Sequence, residues 1–91
     1  SGAGDEAKYY TLRVDPAGLT EPVTLRVDIV DSRGTRTVYE KEQDPGRVLT
    51  LAIPGVGSEV TFRIYYDNQL VKEVTQHASD GSSVAPEDDI Q

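Results

Sequence analysis

The chain contains no cysteine, methionine or tryptophan, and only one histidine, among its 91 residues. Without cysteine, disulfides, thiolate metal sites and cysteine nucleophiles are all excluded. No apolar run approaches the roughly 20 residues that cross a bilayer, so we expect no direct membrane insertion by this segment. Stability must therefore come from packing and hydrogen bonds alone.

Positive charge is also scarce. Nine Lys and Arg residues face 16 Asp and Glu residues, which gives a formal net charge of −7. Proteins that bind a phosphate backbone rely on many Lys and Arg residues to release its counterions. We therefore expect no nucleic-acid partner.

Strict alternation of apolar and polar residues is the main feature that the sequence does have. It is clearest in residues 23–30, where Val, Leu, Val and Ile alternate with Thr, Arg and Asp. A period of two predicts half-buried β-strands. No window of a dozen residues has helical spacing without an interrupting Gly or Pro, so the domain should be all-β.

We predict six strands, separated by turns rich in Gly, Pro, Asp and Asn. They cover residues 8–14, 23–30, 35–42, 47–53, 60–66 and 69–76. Strands of this length and spacing favour an antiparallel β-sandwich, in which two sheets shield each other's apolar faces. A small barrel is the alternative architecture.

The two ends of the chain differ from the alternating part. Residues 1–7 are small and polar, and we expect them to be a flexible segment or a cloning remnant. Residues 77–91 contain four carboxylates, no Lys or Arg, and few large apolar side chains. Such a composition cannot offset the entropy of ordering, so we predict a disordered acidic tail. One domain, residues 8–76, remains.

The inward face of the third strand is ambiguous. The two possible inward sets are Val38 with Arg36 and Glu40, or Tyr39 with Thr35 and Thr37. The second set buries more apolar surface and leaves the charges in water, so we predict that Tyr39 points inward.

The fourth strand should end at residue 53, because Pro54, Gly55 and Gly57 follow it. The Gly55-Val56-Gly57 segment resembles a glycine-rich phosphate loop, but such loops lead into a helix and this one leads into a strand. We interpret both glycines as relief of backbone strain in a turn.

Catalytic candidates are few. His77 lies where the last strand gives way to the tail, so a general base there would lack a rigid frame. Ser58, Ser82 and Ser83 lie in a loop or in the tail, and only His77 could serve them as a base. A hydrolase built on His77 and a loop serine is a hypothesis, but we expect a non-catalytic domain.

Carboxylates are plentiful, and Glu40 and Glu42 share one face of their strand, as acid–base or calcium chemistry requires. However, the sequence has neither a twelve-residue calcium loop nor an Asp-x-Asp-x-Asp run. The Asp residues at positions 15, 31, 44 and 67 begin or occupy turns, where their side chains bond nearby backbone amides. We therefore expect neither a metal nor a cofactor.

The outward residues of the fifth strand, Thr61, Arg63 and Tyr65, are the candidate binding residues. Tyr and Arg supply planar stacking and directed hydrogen-bond donors, so this face could hold a sugar ring or another domain. The alternative is that Arg and Tyr occur here because they favour β-structure and cover their neighbours.

Two segments carry a family resemblance, VTLRVDIVDSRGTRTVYEKEQDPGR at residues 23–47 and EVTFRIYYDNQLVKEVTQ at residues 59–76. The first contains an alternating strand, an Asp-x-x-Gly turn at 31–34, a Val-Tyr-Glu strand and a Pro-Gly turn. The second contains a strand ending in Tyr66, the Asp67-Asn68 turn and a Leu-Val-Lys-Glu strand. This order resembles the C-terminal extracellular immunoglobulin-like domain of PASTA-containing bacterial membrane Ser/Thr protein kinases. The Cys pair and buried Trp of antibody domains are missing.

The resemblance implies an immunoglobulin-like sandwich of about six to seven strands. It implies a location on the extracellular face of a bacterial cytoplasmic membrane, within a single-pass protein whose kinase activity resides elsewhere. There the module would space or present cell-wall-sensing PASTA repeats, as a monomer, with cell-wall fragments or another protein domain as partners. The alternative is a carbohydrate-binding or adhesion module of an unrelated secreted protein.

Overall fold

The computed structural model describes residues 7–77, and the predictions for residues 1–6 and 78–91 lie outside them. Every regular element in residues 7–77 is a β-strand, which confirms the all-β prediction. The strands are β1 (Ala7–Val14), β2 (Val23–Asp31), β3 (Gly34–Gln43), β4 (Leu49–Val56), β5 (Glu59–Tyr66) and β6 (Gln69–His77). No helix that is long and apolar enough to cross a membrane occurs in this range.

The strands form two antiparallel sheets, one with the order β1-β4 and one with the order β3-β2-β5-β6. Their apolar faces share one core, an arrangement compatible with a β-sandwich. The buried core residues are Tyr10, Leu12, Val14, Leu25, Val27, Ile29, Ile53, Val60, Phe62 and Ile64. The alternating apolar residues of β2 and β5 are therefore inward as predicted, while Val23 and Tyr66 at strand ends are only half-buried.

A β-bulge in β3 corrects the prediction for this strand. Val27 pairs with Tyr39, but Asp28 pairs with Thr37, so Val38 is an extra residue in the ladder. Tyr39 packs against the core as predicted, and Val38 does so too. The prediction that Thr35 and Thr37 accompany Tyr39 inward is wrong, because the bulge reverses the alternation between Thr37 and Tyr39. Arg36, which pairs with the buried Ile29, takes the inward side in their place.

The predicted end of β4 is also wrong, because the strand continues through Pro54 and Gly55 to Val56. A strand at the edge of a sheet tolerates proline, since the missing N–H has no partner strand. At Gly55 a Cβ atom would lie 2.8 Å from Val60 Cγ1, so this glycine permits close packing and does not relieve strain. The strain interpretation holds for Gly57, whose φ is +107°.

The predicted turn at Asp67 and Asn68 is confirmed. Both residues have positive φ, 49° and 69°, as a two-residue type I′ hairpin turn requires. The turn is also fixed to the start of β2, because the Thr24 N–H donates to Asp67 Oδ1 at 2.8 Å and the Asp67 N–H donates to the Thr24 carbonyl at 2.9 Å.

Candidate functional site

The outer face is the side of the four-stranded sheet that points away from β1 and β4. Thr61, Arg63 and Tyr65 alternate along β5 with the buried residues Val60, Phe62 and Ile64. The structure therefore places all three candidate binding residues on the outer face of a central strand. Their role in binding stays a prediction.

Arg63 is paired across the sheet with Glu73 of β6. Its Nε donates to Glu73 Oε2 at 2.8 Å, and the two side chains are 40% and 51% exposed. The hydrogen bond with Glu73 raises the pKa of the Arg63 guanidinium, which stays charged. An exposed pair of this kind contributes little to the stability of a fold, so a ligand carboxylate can compete with Glu73 for this donor.

Tyr65 lies against an arginine that the sequence did not connect with it. The guanidinium of Arg26 is 3.9 Å from the centroid of the Tyr65 ring, because the register sets Arg26 directly opposite Tyr65. Arg26 Nη1 also donates to Asp28 Oδ2 at 3.4 Å. Its Nε is buried and has no acceptor among the described residues. The alternation of β2 identified Arg26 as an outward residue, but the pairing of β2 with β5 could not be read from the sequence.

Hydrogen bonds between hydroxyl and carboxylate groups extend this polar layer over all four strands. The Thr61 and Thr75 hydroxyl oxygens are 3.0 Å apart, and the Thr37 hydroxyl donates to Asp28 Oδ1 at 2.7 Å. Guanidinium, phenol and hydroxyl groups at fixed spacing are suited to binding polar ligands. The outer face is therefore a preformed polar surface that includes the predicted residues.

A second group of polar residues, the Asp31 cluster, consists of Asp31, Arg36 and the backbone amides of Arg33 and Val56. Arg36 donates to both oxygens of Asp31, each at 3.0 Å. The Arg33 N–H donates to Oδ1 at 2.9 Å, and the Val56 N–H donates to Oδ2 at 2.8 Å. The Asp31 side chain is 0% exposed. Since Val56 belongs to the other sheet, this carboxylate joins the two sheets.

The Asp31 cluster is unsuited to catalysis or metal binding. A carboxylate has about four lone-pair positions, and donors occupy all four in Asp31. The pKa of Asp31 is lowered to about 2, chiefly because Arg36 donates hydrogen bonds to the carboxylate. The hydrogen bonds from the two backbone amides lower it further. A base needs a free lone pair, so Asp31 is a structural ion. The prediction that turn aspartates bond nearby amides describes only its contact with Arg33.

Further hydrogen bonds stabilise the end of the domain that contains the Asp31 cluster. The Ser32 backbone and hydroxyl groups both donate to the Val56 carbonyl at 3.1 Å. The Tyr10 hydroxyl donates to the Gly57 carbonyl at 3.3 Å, and burial, reinforced by the charge of Asp31, raises the pKa of this phenol.

The remaining chemical candidates are exposed. His77, the last residue of β6, pairs with Glu59, which follows Ser58, but no hydrogen bond joins these side chains within residues 7–77. Glu40 and Glu42 share the outer face of β3, opposite Arg26 and Thr24. No group of three or more His, Asp or Glu residues in the described range could hold a metal ion. Ser82 and Ser83 lie outside that range.

A shallow depression of about 380 Å³ lies at the β3–β4 loop. Its lining includes Tyr39, Gln43, Arg47 and Leu49. The Gln43 amide donates to the Tyr39 hydroxyl, so the polar groups at its base already bond each other. This leaves the outer face as the stronger candidate.

No protein-family model matches the chain, and no curated protein or solved structure is significantly similar to it.

Proposed function

We propose that the domain is a non-catalytic extracellular module of a bacterial membrane Ser/Thr receptor kinase, an immunoglobulin-like domain beside PASTA repeats. It would act there as a presentation or interaction domain whose outer face contacts cell-wall fragments or another protein domain. The observation that carries this proposal is that the order of strands in the two sheets fits an immunoglobulin-like domain, the fold that the sequence motifs of the family resemblance imply.

The strand order supports the immunoglobulin-like part of the proposal. In immunoglobulin-type domains, a sheet containing strands C, F and G, with C′ added in some, faces a sheet containing B and E. Strands β1 to β6 match B, C, C′, E, F and G in chain order, since β3-β2-β5-β6 faces β1-β4. The first strand of that pattern, A, has no counterpart within residues 7–77.

Two motifs of the resemblance support it further, because each has a structural role. The Asp-x-x-Gly turn supplies Asp31, which joins the sheets, and Gly34, whose φ is +113°. The Asp67-Asn68 turn is fixed to β2. A motif with such roles specifies the fold and leaves the outer face free to vary.

Strand β1 begins close to the point where β6 ends. Ala7 pairs with Val56 and His77 pairs with Glu59, and Val56 and Glu59 are three residues apart, at most about 11 Å. The described chain thus enters and leaves at one end of the sheets.

The experiment is a titration of the full chain with a disaccharide muropeptide, followed by backbone amide chemical shifts. We expect saturable shifts at Thr61, Arg63 and Tyr65. Arg63→Ala should weaken binding roughly tenfold, as expected for losing a hydrogen bond to a charged group. Arg47→Ala is the matched control, because Arg47 is an exposed arginine in the β3–β4 loop.

An absence of shifts at these three residues would remove the outer face from the proposal. The sequence of the parent gene then tests the rest. A kinase domain, a membrane helix and PASTA repeats upstream would support the proposal, whereas a glycosidase or stalk repeats would favour a carbohydrate-binding or adhesion module.

A further inference from the structure

Three of the four strands at the sheet edges carry features that discourage pairing with another strand. Edge strands expose unpaired N–H and C=O groups, and proteins protect them with bulges, prolines and charges. In β3, Val38 is a bulge residue, and in β6, Val71 is the extra residue between the Ile64–Lys72 and Tyr65–Leu70 pairs. In β4, Pro54 removes an N–H.

Strand β1 has neither a bulge nor a proline, and its charged residues, Lys8 and Arg13, lie near its two ends. It forms an uninterrupted eight-residue ladder with β4, contains neither proline nor glycine, and pairs with no other described strand. Gln76 Nε2, on β6, donates a hydrogen bond to the Thr11 carbonyl at 3.3 Å. This carbonyl therefore points toward the edge of β1 that lies away from β4. Since alternate residues of a strand direct their backbone groups to the same side, Tyr9 and Arg13 should direct theirs to this edge too.

The inward face of β6 lies beneath the space beside β1. The Tyr10 ring meets the Phe62 ring of β5 with centroids 6.4 Å apart, so β1 lies above β5, and a strand added beside β1 would lie above β6. There it would cover Val74, which is half-buried, and meet Gln76, which is 4% exposed. The Gln76 Oε1 atom is buried and has no donor among the described residues. It is an acceptor without a partner, on a side chain whose amide nitrogen already reaches the β1 edge.

This space suits a single strand of acidic character. A second copy of the domain would bring its own β6 into the same space, so β1 cannot pair with another β1 without a clash. Lys8 and Arg13 lie on β1, and Lys72 lies on the inward face of β6. Arg13 already lies 4.0 Å from Asp15, but in a chain whose net charge is −7 these three cations are gathered around the space and favour carboxylates on the occupant.

We propose that the free edge of β1 is a β-augmentation site for an extended peptide of a partner protein, with alternating apolar residues and flanking carboxylates. The peptide pairs with the backbone at Tyr9, Thr11 and Arg13, its apolar side chains cover Val74, and one of its N–H groups donates to Gln76 Oε1. This site is independent of the outer face and of the function proposed above.

The test is a titration of the full chain with the synthetic peptide EVTVTVE, blocked at both ends and followed by amide chemical shifts. The largest shifts are expected at Tyr9, Thr11 and Arg13. The peptide EVTPTVE, which lacks the central N–H, and the charge-reversed peptide KVTVTVK should each bind at least about fivefold more weakly.

Two variants test the role of Gln76. Gln76→Leu should reduce the affinity for EVTVTVE about fivefold, as expected for one hydrogen bond, while the control Gln69→Leu, at an exposed position of the same strand, leaves it unchanged. If Gln76→Leu folds poorly, the comparison of EVTVTVE with EVTPTVE in the unmodified chain still tests the site.

Several results would overturn the site. These are shifts centred on β3, equal binding of EVTVTVE and EVTPTVE, and an equal effect of the Gln69 and Gln76 substitutions. Protection of the Thr11 amide in the free chain would show that the chain's own residues cover the edge. Dependence of that protection on protein concentration would assign the edge to a second copy.

Discussion

Two Arg–carboxylate pairs in this domain share their chemistry and differ in their surroundings. In the Asp31 cluster the carboxylate is fully buried and joins the two sheets through Val56. On the outer face, Glu73 and Arg63 link neighbouring strands of one sheet and are both largely exposed. The comparison indicates that position and connectivity, more than charge, decide whether an ion pair holds the fold together or remains available to a ligand.

Removal of the Asp31 carboxylate should have the largest effect. Asp31→Ala leaves the Val56 and Arg33 amides and part of the Arg36 guanidinium without their acceptor, which should cost about 3 kcal/mol of the unfolding free energy. Urea denaturation measures this loss. Asp44→Ala, at an exposed turn position, is the control, and equal losses in the two variants would show that Asp31 has no special role.

Acid should produce the next largest effect. Because the pKa of Asp31 is lowered from its ordinary 3.8 to about 2 in the folded chain, its contribution is complete above pH 3.8 and is lost as the pH falls through about 2. The loss should amount to about 2 kcal/mol. Unfolding measured from pH 5 to pH 2 should therefore show a steeper decline for the wild type than for Asp31→Asn, and parallel curves would contradict this assignment.

Close packing at Gly55 gives an effect of similar or smaller size. In Gly55→Ala, the new methyl group would lie 2.8 Å from Val60 Cγ1 and 3.1 Å from Ile29 Cδ1, and such overpacking costs about 1–3 kcal/mol. The double variant Gly55→Ala with Val60→Ala should be more stable than the sum of the single losses predicts, because the closest contact is gone. Strict additivity in thermal unfolding would show that the two sites do not touch.

The smallest effect is expected on the outer face. Glu73→Gln should change the unfolding free energy by less than about 0.5 kcal/mol, because the pair with Arg63 is exposed and screened. Denaturation of the wild type and of Glu73→Gln at low salt and at 1 M salt measures this difference in unfolding free energy. A loss comparable to that of Asp31→Ala would mean that the outer face stabilises the fold and is not a free surface.

The six strands and the Asp67-Asn68 turn could be predicted because alternation and turn residues are local signals. The bulge at Val38 could not be predicted, because it depends on the partner strand, and the passage of β4 through Pro54 depends on that strand's edge position. Asp31 resembles the other turn aspartates in sequence. Only the approach of β4, more than twenty residues later in the chain, makes it different.

The candidate site was predicted in part for the same reason. Alternation identified Thr61, Arg63 and Tyr65 as outward residues of one strand. Arg26 and Glu73 complete the outer face, yet they come from strands whose order in the sheet no local pattern encodes. Pairing of β5 with both β2 and β6 brings these residues together.

The most direct test of the account is a pair of double-mutant cycles, one with Asp31→Asn and Arg36→Gln, the other with Glu73→Gln and Arg63→Gln. The account predicts a coupling free energy of about 2 kcal/mol for the buried pair and a clearly smaller one for the exposed pair. Equal coupling energies, or a larger value on the outer face, would contradict it.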